Sequence, residues 1–300
     1  MLPVYGSINA STSGHQNYSL ESLDHGWMDG QCPHDGRDCS RATQPTAGKD
    51  FKMTIRQTIR TLLPTPALRF IRKVRGTDDS ENYKNLSTQE IFSRVYEKKG
   101  WGESGDPSQP FFSGPGSHDG AVVSDYIRSV HDFLATFEKK PDVVDLGCGD
   151  FFIGSKIRDL CNNFTACDIV PALIEFNKEK YKELAVDFRV LDLSVDELPD
   201  GDVVFVRQVL QHLSNAQIMR AVSKIKAKYK YLVLTEHLPD SRNFKHNLDK
   251  PAGPDIRREI KSGVVLTSEP FNLAPQSQRE ICRVSEYGGI IATTVYQFSG

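Results

Sequence analysis

From Ser87 onward, polar and apolar positions alternate between two periods, and that change of period divides the chain into elements. Ser87-Thr88-Gln89-Glu90 is a capping box followed by Ile91, Phe92, Val95 and Tyr96 at helical spacing, which predicts a helix over about 88–98. A second helix is expected over about 119–138. Short apolar runs then follow as strands: Val143-Val144-Asp145-Leu146, Phe164 to Asp168, Ala185 to Leu191 and Asp202 to Val206. Val170-Pro171-Ala172 starts a helix with proline in its first turn, and Ser214-Asn215-Ala216-Gln217 caps another that runs to about Lys228. Tyr231 to Thr235 reads as the fifth strand, ending in Glu236-His237. Val264-Val265-Leu266 and Ile290 to Gln297 read as the sixth and seventh.

Upstream of these elements the pattern differs. Residues 1–52 are rich in Gly, Ser, Asn, Asp and Gln without sustained periodicity, so they are expected to be a disordered tail unable to bury a core. Residues 53–84 form a basic amphipathic segment and linker, interrupted by Pro64 and Pro66. Its stretch 54–75 would either touch anionic lipid or pack on the catalytic domain with its arginines solvated, and the second is preferred. Met53 as a natural start is a further reading. Cys32 and Cys39, with His25 and His34 nearby, lack the spacing of a Cys-x-x-Cys zinc site and are read as part of a polar tail.

The most informative stretch joins the first strand to the helix after it. In Asp145-Leu146-Gly147-Cys148-Gly149-Asp150, two glycines allow a tight turn and a close approach of bare main chain to a ligand. A dinucleotide fingerprint would need a small residue where Phe152 stands, which argues against an NAD(P)-dependent oxidoreductase. The acidic residue before the glycine pair resembles motif I of the class I S-adenosylmethionine (SAM) dependent methyltransferases. Later motifs come in register: Cys167-Asp168 closes the second strand, Asp192-Leu193 follows the third, and Arg207-Gln208 follows the fourth. The resemblance covers 85–300 and is best between 141 and 237.

The resemblance implies an α/β fold, a Rossmann-like doubly wound sheet of seven mostly parallel strands with an antiparallel C-terminal hairpin and helices on both faces, over 85–300. It implies SAM as cofactor, held by Asp145, Gly147, Cys148, Gly149, Asp168, Ile169, Asp192, Leu193, Arg207 and Gln208. Asp168 would accept from both ribose hydroxyls, Asp192 from the adenine amine. Asp168 also reads as the cap of the next helix, and both roles are compatible. The reaction implied is in-line methyl transfer to a polar small-molecule acceptor, by O-methylation of a sugar or natural-product intermediate. His212 and His237 are the candidate bases, because an imidazole titrates near physiological pH. A catalytically inactive SAM-binding scaffold is the alternative.

Composition narrows this further. The formal net charge of −2 excludes a wholly basic nucleic-acid binder. No apolar run reaches the ~20 residues of a membrane span, and the expected compartment is cytoplasmic. Asp249 and Asp255 sit beside prolines in a polar loop, so no metal is expected. Asn243, His246, Asn247 and Arg257 in that loop instead favour a polar acceptor pocket. Residues 110–118, glycine-rich with aromatic shoulders, are expected to cover the cofactor or the acceptor. The sequence does not set the oligomeric state.

Overall fold

The structure, a computed structural model, describes residue 83 and residues 85–299 apart from 242. The tail 1–52, the basic segment 53–84 except Tyr83, and the Cys32/Cys39 group lie outside the described residues. Helix α1 (Thr88–Glu97) starts at the expected box: the Ser87 hydroxyl accepts from the Glu90 N–H at 3.3 Å, and the Glu90 carboxylate accepts from the Ser87 N–H at 2.8 Å. Both are orphan donors of a first turn. Ser87→Ala is therefore expected to lower stability by about 1 kcal/mol, read as a smaller urea midpoint.

After α1 come α2 (Gly120–Leu134), β1 (Val143–Leu146), α3 (Phe152–Ile157), β2 (Phe164–Asp168) and α4 (Pro171–Lys180). Next are β3 (Asp187–Val190), β4 (Val203–Arg207), α5 (Asn215–Lys228) and β5 (Tyr231–Pro239). A short two-stranded pair, β6 (Lys245–His246) with β7 (Ser262–Gly263), precedes β8 (Ser277–Glu286) and β9 (Gly289–Gln297). The main sheet has seven strands in the order β3-β2-β1-β4-β5-β9-β8. Strands β1 to β5 pair in parallel, and β9 runs antiparallel between β5 and β8. The expected Rossmann-like architecture is present.

Alternate strand residues supply two cores. Val144, Leu146, Val204, Val206, Leu232 and Leu234 pack with α5 and with Phe92 and Tyr96 of α1. Val143, Phe164, Phe205 and Val233 pack with α2 and with Ile157 of α3. Chain order reverses at β1, which lies between β2 and β4. In open sheets of this kind ligands bind outside the carboxyl ends of the strands at such a switch point.

Two expectations about strands need correction. Val264-Val265-Leu266 is not a strand. Val264 and Leu266 instead plug the core from a loop, at 3% and 0% exposure. The sixth strand of the sheet is β8, whose Ser-Gln-Arg-Glu start is exposed and so carries no apolar alternation to find. Strand β5 also runs four residues further than expected, because β9 pairs it as far as Pro239 with Gly289. Glu236 and His237 therefore lie inside a strand and not in a loop beyond it.

Candidate active site

The turn after β1 is held by main-chain bonds to its neighbour. The Gly147 and Cys148 N–H groups both donate to the Cys167 carbonyl, at 2.8 and 2.9 Å. Gly147 and Gly149 have φ of 83° and 55°, the left-handed region that glycine adopts without cost. Asp168 closes the next strand, and one of its oxygens accepts from the Gly149 N–H at 3.0 Å while the other accepts from the Val170 N–H at 3.1 Å. The same carboxylate thus ties the glycine turn to Val170, the residue before α4, but it is not the helix cap expected of it, since α4 has no side-chain cap. Burial pushes its pKa up to about 6, against the pull of these donors. Asn177, fully buried on α4, donates to the Gly149 carbonyl at 2.7 Å.

Side chains approach this turn closely. A Cβ at Gly147 would stand 2.3 Å from Val209 Cγ2, and one at Gly149 would stand 2.3 Å from Ser113 Oγ. Ser113 belongs to the loop 110–118, which is docked on the turn. Its N–H donates to Asp150 at 3.0 Å, its hydroxyl accepts from the Asp150 N–H at 2.8 Å, and Tyr96 lies 3.1 Å from the same hydroxyl. His118 Nε2 pairs with Asp150 at 2.6 Å, its ring stacked between Phe112 and Phe152 at 4.7 and 4.6 Å. His118→Ala should remove both the hydrogen bond to Asp150 and the stack. Amides of 113–118 are then expected to exchange about tenfold faster or more, as hydrogen exchange would read.

Phe151-Phe152, the departure from a dinucleotide turn, has a packing reason. Phe151 is left-handed at φ 57° and fully buried against Phe164, Tyr181 and Phe188. Its ring covers Gly154, where a Cβ would meet it at 2.1 Å. The close approach that a third glycine provides elsewhere occurs here two residues later.

The remaining expected site residues divide. Cys148 lies in the turn, with its thiol held well above the usual range by burial. The Ile169 carbonyl accepts from Gln89 at 3.1 Å. Asp145 is buried on the α2 side of β1, and desolvation pushes it up to about 7 while Arg207 pulls it down. The Arg207 guanidinium donates to Ser117 Oγ at 2.9 Å and the Gly116 carbonyl at 2.6 Å, and lies over the Tyr126 ring. Gln208, left-handed at φ 56°, sets its side chain against Gly116. Arg207 and Gln208 thus hold the covering loop. Asp192 accepts from the Ser194 N–H and hydroxyl at 2.8 and 2.7 Å in a turn after β3, and Leu193 is buried in the core.

The two histidines are not brought together. His212 Nδ1 lies 3.2 Å from the Gly253 carbonyl, and its ring packs against Trp101 and Phe92. Within β5, His237 points to the opposite face from Glu236. Burial pushes both imidazoles down to about 4, so both are neutral at physiological pH. Three polar side chains of 240–258 are spent on structure: Asn247 bonds the main chain at Val265 and Glu269, Asp249 accepts from the Asn215 N–H, and Arg257 donates to the Leu213 carbonyl. They do not form the open polar pocket their composition suggested. Sequence spacing gave no sign of Tyr96 or Asn177 at the turn, and for loop 110–118 it pointed to a cover but not to the contacts of Ser113 and His118 with Asp150.

The sheet thus has its switch point at β1, with a glycine turn tied to an acid at the end of β2. Residues 143–230 match the family described as "Methyltransferase domain". The resemblance to class I SAM-dependent methyltransferases is borne out over the segment that carries its motifs. Among solved structures, the chain is similar to magnesium protoporphyrin IX methyltransferase ChlM from Synechocystis PCC 6803 with bound SAM, at 15% identity and a TM-score of 0.47 over 71% of this chain and 99% of that one. It is also similar to the N-methyltransferase NodS from Bradyrhizobium japonicum WM9 in complex with S-adenosyl-l-homocysteine, at 13% identity and a TM-score of 0.46 over 70% and 100%. No curated protein matches it. Among the described residues, no helix is long and apolar enough to cross a membrane.

Proposed function

We propose that this protein transfers the methyl group of SAM to a polar small-molecule acceptor. The observation that carries the reading is Asp168, 8% exposed at the end of β2 and bonded to the Gly149 N–H. Its carboxylate keeps unused lone pairs for ribose hydroxyls beside a turn of bare main chain. Unpartnered buried polar atoms near this edge fit the same group: Asn177 Oδ1, Gln208 Nε2 and Trp101 Nε1. Asp192, Leu193 and Ile169 are assigned to the adenosine side, and Asp145 with Arg207 to the electrostatics of the methionine end.

When bound, SAM supplies a methyl group already activated by positive sulfur. What remains for the chain is orientation and exclusion of water, and orientation alone can supply roughly 7 to 11 kcal/mol. Loop 110–118 serves both needs where Ser113 and His118 dock on Asp150. For a hydroxyl acceptor, His212 is the better base candidate of the two, because it lies beside Trp101 at the carboxyl edge. His237 faces the other side of the sheet. The test is transfer of a labelled methyl group from SAM to a panel of sugars and hydroxylated metabolites. Labelled product supports the reading; bound SAM with no transfer to any acceptor would favour the inactive scaffold.

A further inference from the structure

The open face of the sheet between β5 and β8 carries a cavity of about 280 Å³ that the methyl-transfer reading does not use. Leu234, Leu238 and Val264 form apolar walls, and Gln278 and Glu280 stand exposed at its mouth. At its inner end lies Glu236, 3% exposed, with neither carboxyl oxygen in a hydrogen bond. A buried carboxyl without a partner is costly and needs a reason. The nearby cation does not supply one. Arg257 attracts Glu236 but forms no ion pair with it, and donates instead to the Leu248 and Leu213 carbonyls. The Leu210 and Gln211 amides face Glu236 and pull its pKa down, but neither reaches full hydrogen-bond geometry with a carboxyl oxygen.

The turn 209–211 stands between this cavity and the glycine turn, since Val209 abuts Gly147 while Leu210 and Gln211 adjoin Glu236. It is therefore a second site, and it does not depend on the methyl-transfer reading. We propose that this cavity binds a small organic molecule with a primary amine and an apolar body, the ammonium group bonded to Glu236 and the body against Leu234, Leu238 and Val264. An ammonium offers three donors and a positive charge at bonding distance, which Arg257 and the two amides do not supply. Glu280 at the mouth is paired with Arg283, so the charge that holds the ammonium is that of Glu236.

Burial holds Glu236 protonated up to about pH 8, so an ammonium ligand must displace its proton. The other charged or titratable groups facing it are Arg257, Tyr296 from β9 and Glu280 from β8. The experiment titrates the full chain at pH 7 with 2-phenylethylamine and with its neutral counterpart 2-phenylethanol, by calorimetry in phosphate and in Tris. The amine is expected to bind at least about tenfold more tightly, a difference of about 1.4 kcal/mol. Its enthalpy should differ between the buffers because a proton is released, and Glu236→Gln should bring it to the level of the alcohol. Equal binding of amine and alcohol by the native chain, no saturable binding of the amine, or unchanged amine binding by Glu236→Gln would each overturn the proposal. The first two outcomes need no variant, so they stand even if Glu236→Gln fails to fold.

Discussion

Asp168→Ala is expected to weaken SAM binding by about a hundredfold or more. Hydrogen bonds to a charged group contribute roughly 1.5–3 kcal/mol each, and the account assigns this carboxylate two ribose hydroxyls. The substitution also removes the acceptor for the Gly149 and Val170 N–H groups, so the turn itself loosens. Thermal unfolding of the same variant separates the two effects. A chain that still melts cooperatively but has lost SAM binding assigns the loss to the site. Unchanged affinity in a folded variant would remove Asp168 from the cofactor contacts, whatever its bonds to Gly149 and Val170.

The second large effect is a change in how stability depends on pH. Glu236 is pushed up to about 8 in the folded chain by burial, from an ordinary value of 4.5. Between those values the unfolded chain has already lost a proton that the folded chain still holds. The folded state then binds more protons, so stability falls as pH rises through that window, by about 1.4 kcal/mol per pH unit at most. Glu236→Gln keeps the shape and has no proton to lose. Its melting temperature relative to the native chain is expected to climb steadily between pH 5 and pH 8, with the variant the more stable at the upper end. The raised carboxyls of Asp145 and Asp168 act in the same direction in both proteins and cancel in the difference. Parallel melting curves across that range would show that Glu236 titrates normally.

Much of the frame was legible because it rests on local signals. The capping boxes at Ser87 and Ser214, the proline at the first position of α4 and the apolar runs of β1, β2 and β4 each follow from short-range chemistry, and the structure has them. The glycine turn was legible for the same reason, since only glycine adopts those dihedrals without cost. Strand β8 was hidden because it is exposed at a sheet edge, and the apolar triplet 264–266 imitated a strand while serving as a core plug. The docking of Ser113 and His118 on Asp150 spans more than thirty residues of chain. No periodicity records such a contact. Glu236 reads as an ordinary charged residue in the sequence, and only the pairing of β5 with β9 buries it.

The most direct test of the central claim is a calorimetric titration of the native chain with SAM, S-adenosylhomocysteine and NAD. Both adenosyl-sulfur compounds are expected to bind saturably at one site per chain, and NAD not at all. Binding of NAD alone would contradict the claim.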